Sequence, residues 1–144
     1  MNQIDFHFNV LNRSIYACRL VKKVTGLGLT VGLWSRNEVF LKNVFDDLWR
    51  FEDMTFIPHA WAGSDLERET GVVFSTDLAA LGRRDVLILL DEAVPENWKT
   101  AFSSFDRVVD IVSRNDEELQ HSRTRYRLYK ASGVELKAYD RSKS

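Results

Sequence analysis

Three cations and one aromatic ring recur at helical spacing near the C-terminal end of the chain. Arg123, Tyr126, Arg127 and Lys130 stand at positions i, i+3, i+4 and i+7 of the segment from Asp116 to Ser132, so a helix there would carry them on one stripe. A row of charged side chains cannot be buried without leaving charges unpaired. The spacing therefore predicts a stripe that faces solvent or an anionic partner.

The chemistry of this stripe leaves three interpretations open. A tyrosine between Arg123 and Arg127, with Val112 ending a predicted strand nearby, would offer apolar contact beside forked donors, as capture of a carboxylate-bearing hydrophobic residue requires. The same groups could stack a base and hold a phosphate. The third interpretation is a solvated helix face whose cations only complement the C-terminal end of the helix dipole.

The length and composition of the chain indicate one soluble domain. A chain of 144 residues with 44% hydrophobic and 28% charged residues can bury a real core, and a net charge of -1 provides no global field for nucleic acid or membranes. The single cysteine, Cys18, excludes an internal disulfide and is expected to be a packed thiol. The first residues lack the features of a signal peptide, and no apolar run is long enough to span a membrane. A cytoplasmic location is expected.

No pattern of nucleotide, metal or catalytic residues stands out. The first predicted strand-to-helix turn has no glycine, and Gly26, Gly28 and Gly32 precede a strand instead of a helix, where phosphate would find no free amides. The three histidines are far apart, without a metal-ligand partner at the usual spacing. We therefore predict no cofactor, no metal and no catalytic residue, and an enzyme of the nucleotide-binding type is suggested only by fold class.

Predicted strands and helices alternate along the chain. This order favours an α/β fold, a three-layer Rossmann-like domain with a mainly parallel sheet. Its central strand should be residues 86–90, the most apolar run. We expect a single domain over residues 1–140 and a frayed tail over residues 141–144. Strands are predicted at 4–8, 29–34, 72–74, 86–90, 107–112 and 135–139, and helices at 13–24, from a cap at Ser35 or Asn37 to Phe51, from Pro95 to about Phe105, and at 116–132.

The second helix and the segment after it are rich in apolar and aromatic side chains. The helix is expected to bury Val39, Phe40, Val44, Leu48 and Phe51. The aromatic group around Pro58 has two interpretations, core packing and an exposed patch for a protein partner. Its members are Trp49, Phe51, Phe56 and Trp61.

Four segments, in this order and spacing, resemble the chi subunit family of bacterial DNA polymerase III holoenzyme. They are LWRFEDMTFIPHAWAG, GRRDVLILL, FDRVVDIV and RTRYRLYKASG. The resemblance covers nearly the whole chain and is strongest around Trp49, around Arg83 to Asp85, and from Arg123 to Gly133. It implies a Rossmann-like domain without nucleotide chemistry, which agrees with the missing glycine turn.

The resemblance also implies partners. Members of the family bind the psi subunit, which joins them to the clamp-loader complex, and the acidic C-terminal tail of single-stranded DNA-binding protein. A helicase in place of psi is a further implied partner. Contact with nucleic acid would then be mainly indirect, and the alternative is a domain that binds single-stranded nucleic acid directly through the stripe.

Several residues match functional positions of the family. Where the family often has a lysine one turn before Arg123, this chain has Leu119, so that charge contact is not expected here. Trp49 and Phe56 match aromatic residues linked to partner contact, without indicating which partner. The tail-binding positions fall on Val112, Arg123, Tyr126, Arg127 and Lys130.

Overall fold

The computed structural model describes residues 3–51 and 56–142. Residues 52–55, between Phe51 and Phe56, and the last two residues of the predicted tail lie outside the described residues. Among the helices of the described ranges, none has the length and apolar character that a membrane span requires. The strands are β1 (Gln3–Val10), β2 (Val31–Trp34), β3 (Ala60–Trp61), β4 (Val72–Ser75), β5 (Arg84–Leu89), β6 (Phe105–Ser113) and β7 (Leu136–Asp140), and the helices are α1 (Arg13–Gly26), α2 (Glu38–Arg50), α3 (Trp98–Phe102) and α4 (Asp116–Ser132).

The strands form one seven-stranded sheet in the order β3-β4-β2-β5-β6-β1-β7. Every pair of neighbouring strands is parallel. β5 occupies the middle of the sheet, so the prediction of a central apolar strand is confirmed, as is the predicted α/β class. β7 closes one edge of the sheet next to β1.

Helices cover both faces of the sheet and create two cores. Because successive side chains of a strand point to opposite faces, Val86 and Ile88 of β5 join the core under α1 and α2. Leu87 and Leu89 join the core under α3 and α4. A strand buried on both faces has no polar alternation, which explains the continuous apolar run in β5.

An extra residue in β1 changes which face its side chains reach. His7 pairs with Ile111 and Val10 with Ser113, so three steps along β1 match two along β6. Asn9 supplies the irregularity with a φ of 62°, a conformation that asparagine tolerates. Phe6 therefore packs on the α4 side, whereas Val10 packs on the α1 side.

Helix α2 begins after Asn37, whose side chain accepts a hydrogen bond from the Phe40 amide, as one of the two predicted caps. The predicted apolar side of α2 was wrong at one position, because Val39 is 82% exposed. The fully buried residues of α2 are Leu41, Val44 and Leu48, which follow one another at intervals of one helical turn.

One further prediction differs from the structure. The helix expected from Pro95 to about Phe105 is only the short α3, because Phe105 already begins β6. A short 3-10 helix lies at Glu67–Glu69, between β3 and β4. Strand β3 was not predicted, since two residues are too few to show an alternating pattern.

Candidate functional site

Helix α4, which carries the predicted stripe, has the predicted limits because both ends are capped by local chemistry. The Asn115 side chain accepts hydrogen bonds from the Glu117 and Glu118 amides at the N-terminus. Gly133 ends the helix in the left-handed conformation at a φ of 81°. Acidic residues fill the first turn and Lys130 the last, which agrees with the helix dipole.

The stripe lies at the surface as the spacing predicted. Arg123, Arg127 and Lys130 are exposed, and Tyr126 between them is half-buried. Within the described ranges, no carboxylate forms an ion pair with either arginine of the stripe. The Lys130 ammonium lies 5.9 Å from the centre of the Tyr126 ring. The Nε of Arg127 donates to the Arg123 carbonyl oxygen at 3.3 Å, so the terminal nitrogens of the two guanidinium groups remain available to an anion from outside the molecule.

A shallow concavity opens beside these cations. Its volume is about 300 Å³, and it is lined by Phe6, Ser122, Arg123, Tyr126 and Arg127. The Tyr126 ring meets the Phe6 ring of β1 edge-on, with centres 5.2 Å apart. The site thus joins an apolar floor to two forked hydrogen-bond donors, the combination that suits a hydrophobic side chain next to a carboxylate.

Two other residues discussed in the sequence analysis do not line the concavity. Val112 is 1% exposed and belongs to the core cluster against which Tyr126 packs. Leu119, one turn before Arg123, is half-buried and packs against the same core. The structure therefore brings four of the five predicted tail-binding residues together at the surface.

The inward side of α4 carries a charge that the sequence analysis missed. Arg125 is 4% exposed and donates two hydrogen bonds to the Asp110 carboxylate of β6, each 2.9 Å long. Its remaining terminal nitrogen donates to the Glu92 carbonyl oxygen at 2.6 Å. The Tyr129 hydroxyl also donates to Asp110, at 2.7 Å. One fully buried carboxylate thus holds two residues of the helix.

The pKa values of these partners reflect the shared carboxylate. Burial alone would lower the pKa of Arg125, but the adjacent Asp110 outweighs it and raises the pKa. Burial, and then the neighbouring Asp110, raise the pKa of Tyr129 well above its ordinary value. Arg125 is therefore charged and the Tyr129 hydroxyl neutral at any physiological pH.

Of the aromatic residues around Pro58, some pack against the core and others are exposed at the surface. Trp49 is 43% exposed and Phe56 is 72% exposed, and their rings stack with centres 5.3 Å apart. Beneath them the Trp49 ring lies 3.9 Å from that of His59, which is 4% exposed. Trp61, in contrast, stacks on Phe45 next to the core under α1 and α2. The exposed pair, which we call the aromatic stack, is the part that a partner could contact.

Other reactive side chains have structural explanations. Cys18 is fully buried, and burial followed by the nearby Asp47 raises its pKa to about 12, which confirms the expectation of a packed thiol. Burial lowers the pKa of His7 to about 4 and also lowers the pKa of His59. The nitrogens of His59 lie within hydrogen-bonding distance of two backbone carbonyl oxygens, those of Ile57 and Phe45.

One histidine does approach carboxylates. His121 lies one helical turn after Glu117, a spacing that the sequence analysis overlooked, and its Nε2 is 3.7 Å from a carboxylate oxygen of Glu92. Ligand atoms of the three residues lie within 4.8 Å of one another. All three side chains are at the surface, and the position of Glu117 in the first turn of α4 is already explained by the helix dipole.

The carboxyl ends of the strands, where α/β proteins commonly bind nucleotides, hold an ion pair. Arg13 at the start of α1 donates to the Glu118 carboxylate at 2.7 Å and to the Leu90 carbonyl oxygen at 2.8 Å. Its guanidinium carbon also lies 4.7 Å from the centre of the Phe40 ring. Glu117 lines the same crevice, so a phosphate there would meet acidic side chains.

Known proteins are similar to this chain over most of its length. The family model of the DNA polymerase III chi subunit, HolC, matches residues 1–137. The DNA polymerase III subunit chi of Pseudomonas aeruginosa is 28% identical over 140 residues, which cover 94% of this chain and 94% of that protein. The subunit chi of Haemophilus influenzae is 28% identical over 122 residues, or 83% of this chain and 81% of that protein. The chain therefore belongs to the DNA polymerase III chi subunit family.

Proposed function

We propose that this chain is a non-catalytic adaptor subunit of the DNA polymerase III clamp-loader complex, located in the cytoplasm. Its stripe binds the acidic C-terminal tail of single-stranded DNA-binding protein, and a second surface binds the psi subunit. Membership of the chi family supports the assignment to the polymerase. The observation that carries the tail-binding role is the concavity of Phe6 and Tyr126 between two arginines that have no acidic partner within the described part of the chain.

The concavity suits the last residue of such a tail. A terminal phenylalanine would place its ring against Phe6 and Tyr126, and its carboxylate would accept hydrogen bonds from the guanidinium groups of Arg123 and Arg127. Acidic residues before it would be attracted by Lys130 and by the outer faces of the arginines. The site thus recognises a chain end rather than an internal sequence.

Exposure limits the strength of this contact. Because the cations face water, each ion pair contributes little and is screened by salt. We therefore expect modest affinity that falls as ionic strength rises, with the buried phenylalanine ring supplying the part that does not depend on salt.

Removing the terminal carboxylate should weaken peptide binding by roughly tenfold or more, because the forked donors then lose their charged acceptor. The measurement is a titration of the protein with two fluorescent peptides that end in an acidic run and phenylalanine, one with a free carboxylate and one amidated. A third peptide, with a free carboxylate but alanine at the end, separates the ring from the charge. Equal affinity for the free and amidated peptides would refute end recognition.

The aromatic stack is the surface we propose for the psi subunit. Two large rings exposed side by side at the surface are typical of residues that dominate protein interfaces. A helicase that replaces psi would engage the same rings, and the two partners would then exclude each other.

Replacing both Trp49 and Phe56 with alanine should weaken psi binding by about 30-fold or more, since the two exposed rings supply the contact area. Because Trp49 also covers the buried His59, the melting temperature of the variant checks that it is folded. Co-purification of psi with the variant measures this effect. The matched control is Val39→Ala, which removes an exposed apolar side chain of α2 far from the stack. Psi binding that survives the double substitution would place the psi surface elsewhere, and tail-peptide binding should be unchanged in both variants.

Direct binding of single-stranded nucleic acid by the stripe finds less support. A base would have to stack on Tyr126, but that ring is half-buried, meets Phe6 on its edge and has the Lys130 ammonium near its face. The net charge of -1 adds no general attraction for phosphate.

A further inference from the structure

The side of α4 that faces the sheet is unusually polar. Its buried residues are Ser122, Arg125 and Tyr129, one per turn along the helix. Helices of three-layer domains usually bury an apolar row, whose packing is not directional and tolerates small rotations or shifts. Hydrogen bonds to a single carboxylate are directional, so they fix the rotation of the helix about its axis.

The anchor and the floor of the concavity are neighbours in the sheet. Asp110 of β6 and Phe6 of β1 are paired across adjacent parallel strands. Above them, two consecutive residues of α4 make the matching contacts, because Arg125 binds Asp110 and Tyr126 packs on Phe6. One rotation of the helix satisfies both contacts at once, and the same rotation turns Arg123 and Arg127 outward.

We propose that Asp110 is the positioning residue of the tail-binding site. Its hold on Arg125 and Tyr129 fixes the rotation and register of α4, so that Tyr126 lies on Phe6 and the guanidinium groups flank the concavity. This inference rests on the proposed tail-binding function. Asp110 itself would not contact the peptide, because its side chain is fully buried.

The test separates positioning from stability. The triple variant Asp110→Leu/Arg125→Met/Tyr129→Phe replaces the polar group by apolar residues, which in buried ion-pair clusters often preserves or raises stability. We expect this variant to melt no lower than the wild type and yet to bind the fluorescent tail peptide roughly tenfold or more weakly. In two-dimensional NMR spectra, contacts between the Phe6 and Tyr126 rings should weaken as well. A stable triple variant that binds the peptide like the wild type would overturn the proposal.

A second pair of variants covers the case in which the triple variant does not fold. Asp110→Asn removes the charge but keeps the size, and Leu33→Ala opens a cavity in the core on the opposite face of the sheet. Both should lower the melting temperature, but at a temperature where both are folded only Asp110→Asn should lose peptide affinity. Equal affinity of the two variants would refute the positioning role.

The outcomes also distinguish this inference from the proposed function. A wild-type protein that does not bind the peptide would remove the proposed function. In that case the NMR contact between the Phe6 and Tyr126 rings would test the positioning role of Asp110. Loss of this contact in the Asp110 variants would support the role, and its retention would overturn the role.

Discussion

Replacing Arg123 with glutamate should abolish detectable binding of the tail peptide, with an affinity loss of roughly 30-fold or more. The substitution removes one of the two guanidinium groups that border the concavity and places a carboxylate where the peptide carboxylate would lie. Folding should be unaffected, because the side chain is exposed and has no ion-pair partner among residues 3–51 and 56–142. Fluorescence anisotropy of a labelled peptide measures the loss, and the melting temperature checks folding.

The control for this prediction is Arg68→Glu. Arg68 is also exposed, lies near the β3–β4 edge far from α4, and its reversal changes the net charge by the same amount. It should alter affinity only through the weak long-range field, an effect that salt removes. Comparable losses from the two substitutions would show that net charge, and not the stripe, governs peptide binding.

Replacing Asp110 with alanine should lower the free energy of unfolding by about 3–5 kcal/mol. The reason is that Arg125 would keep a buried charge without its carboxylate, and the Tyr129 hydroxyl would lose its acceptor. Chemical denaturation monitored by fluorescence gives this free energy directly.

A surface ion pair between an aspartate and a lysine provides the comparison. Asp46→Ala removes a 2.8 Å ion pair with Lys42 in which both side chains are well exposed, so it should change the free energy of unfolding by less than about 1 kcal/mol. If Asp110→Ala proved as mild as Asp46→Ala, the buried network would contribute nothing beyond packing.

The parts of the fold that were predicted correctly are those with strong local signals. The limits of α4 follow from Asn115, which satisfies free amides at one end, and from Gly133, which adopts a backbone conformation unfavourable to other residues. The central position of β5 follows from an apolar run that only a strand covered on both faces requires. The stripe itself followed from helical spacing alone.

Other features depend on tertiary contacts. Val39 was placed on the buried side of α2, where the structure has Leu41, because both residues are apolar and only the packing of the helix on the sheet decides which one is buried. Arg125 was missed because the sequence does not show which arginines of α4 face inward. A signal did exist in Asp110, a charge within the apolar run of β6, since a buried carboxylate requires a cationic partner.

The concavity and the aromatic stack lie on opposite sides of the sheet and towards its opposite edges. The concavity stands over β1, whereas the aromatic stack follows α2, whose side of the sheet includes β4. Four strand spacings separate β1 from β4, or about 19 Å of hydrogen-bonded backbone. Under the proposed function, the tail and the psi subunit would therefore bind at the same time on one rigid sheet, and a protein bound at one surface would raise the local concentration of the protein bound at the other.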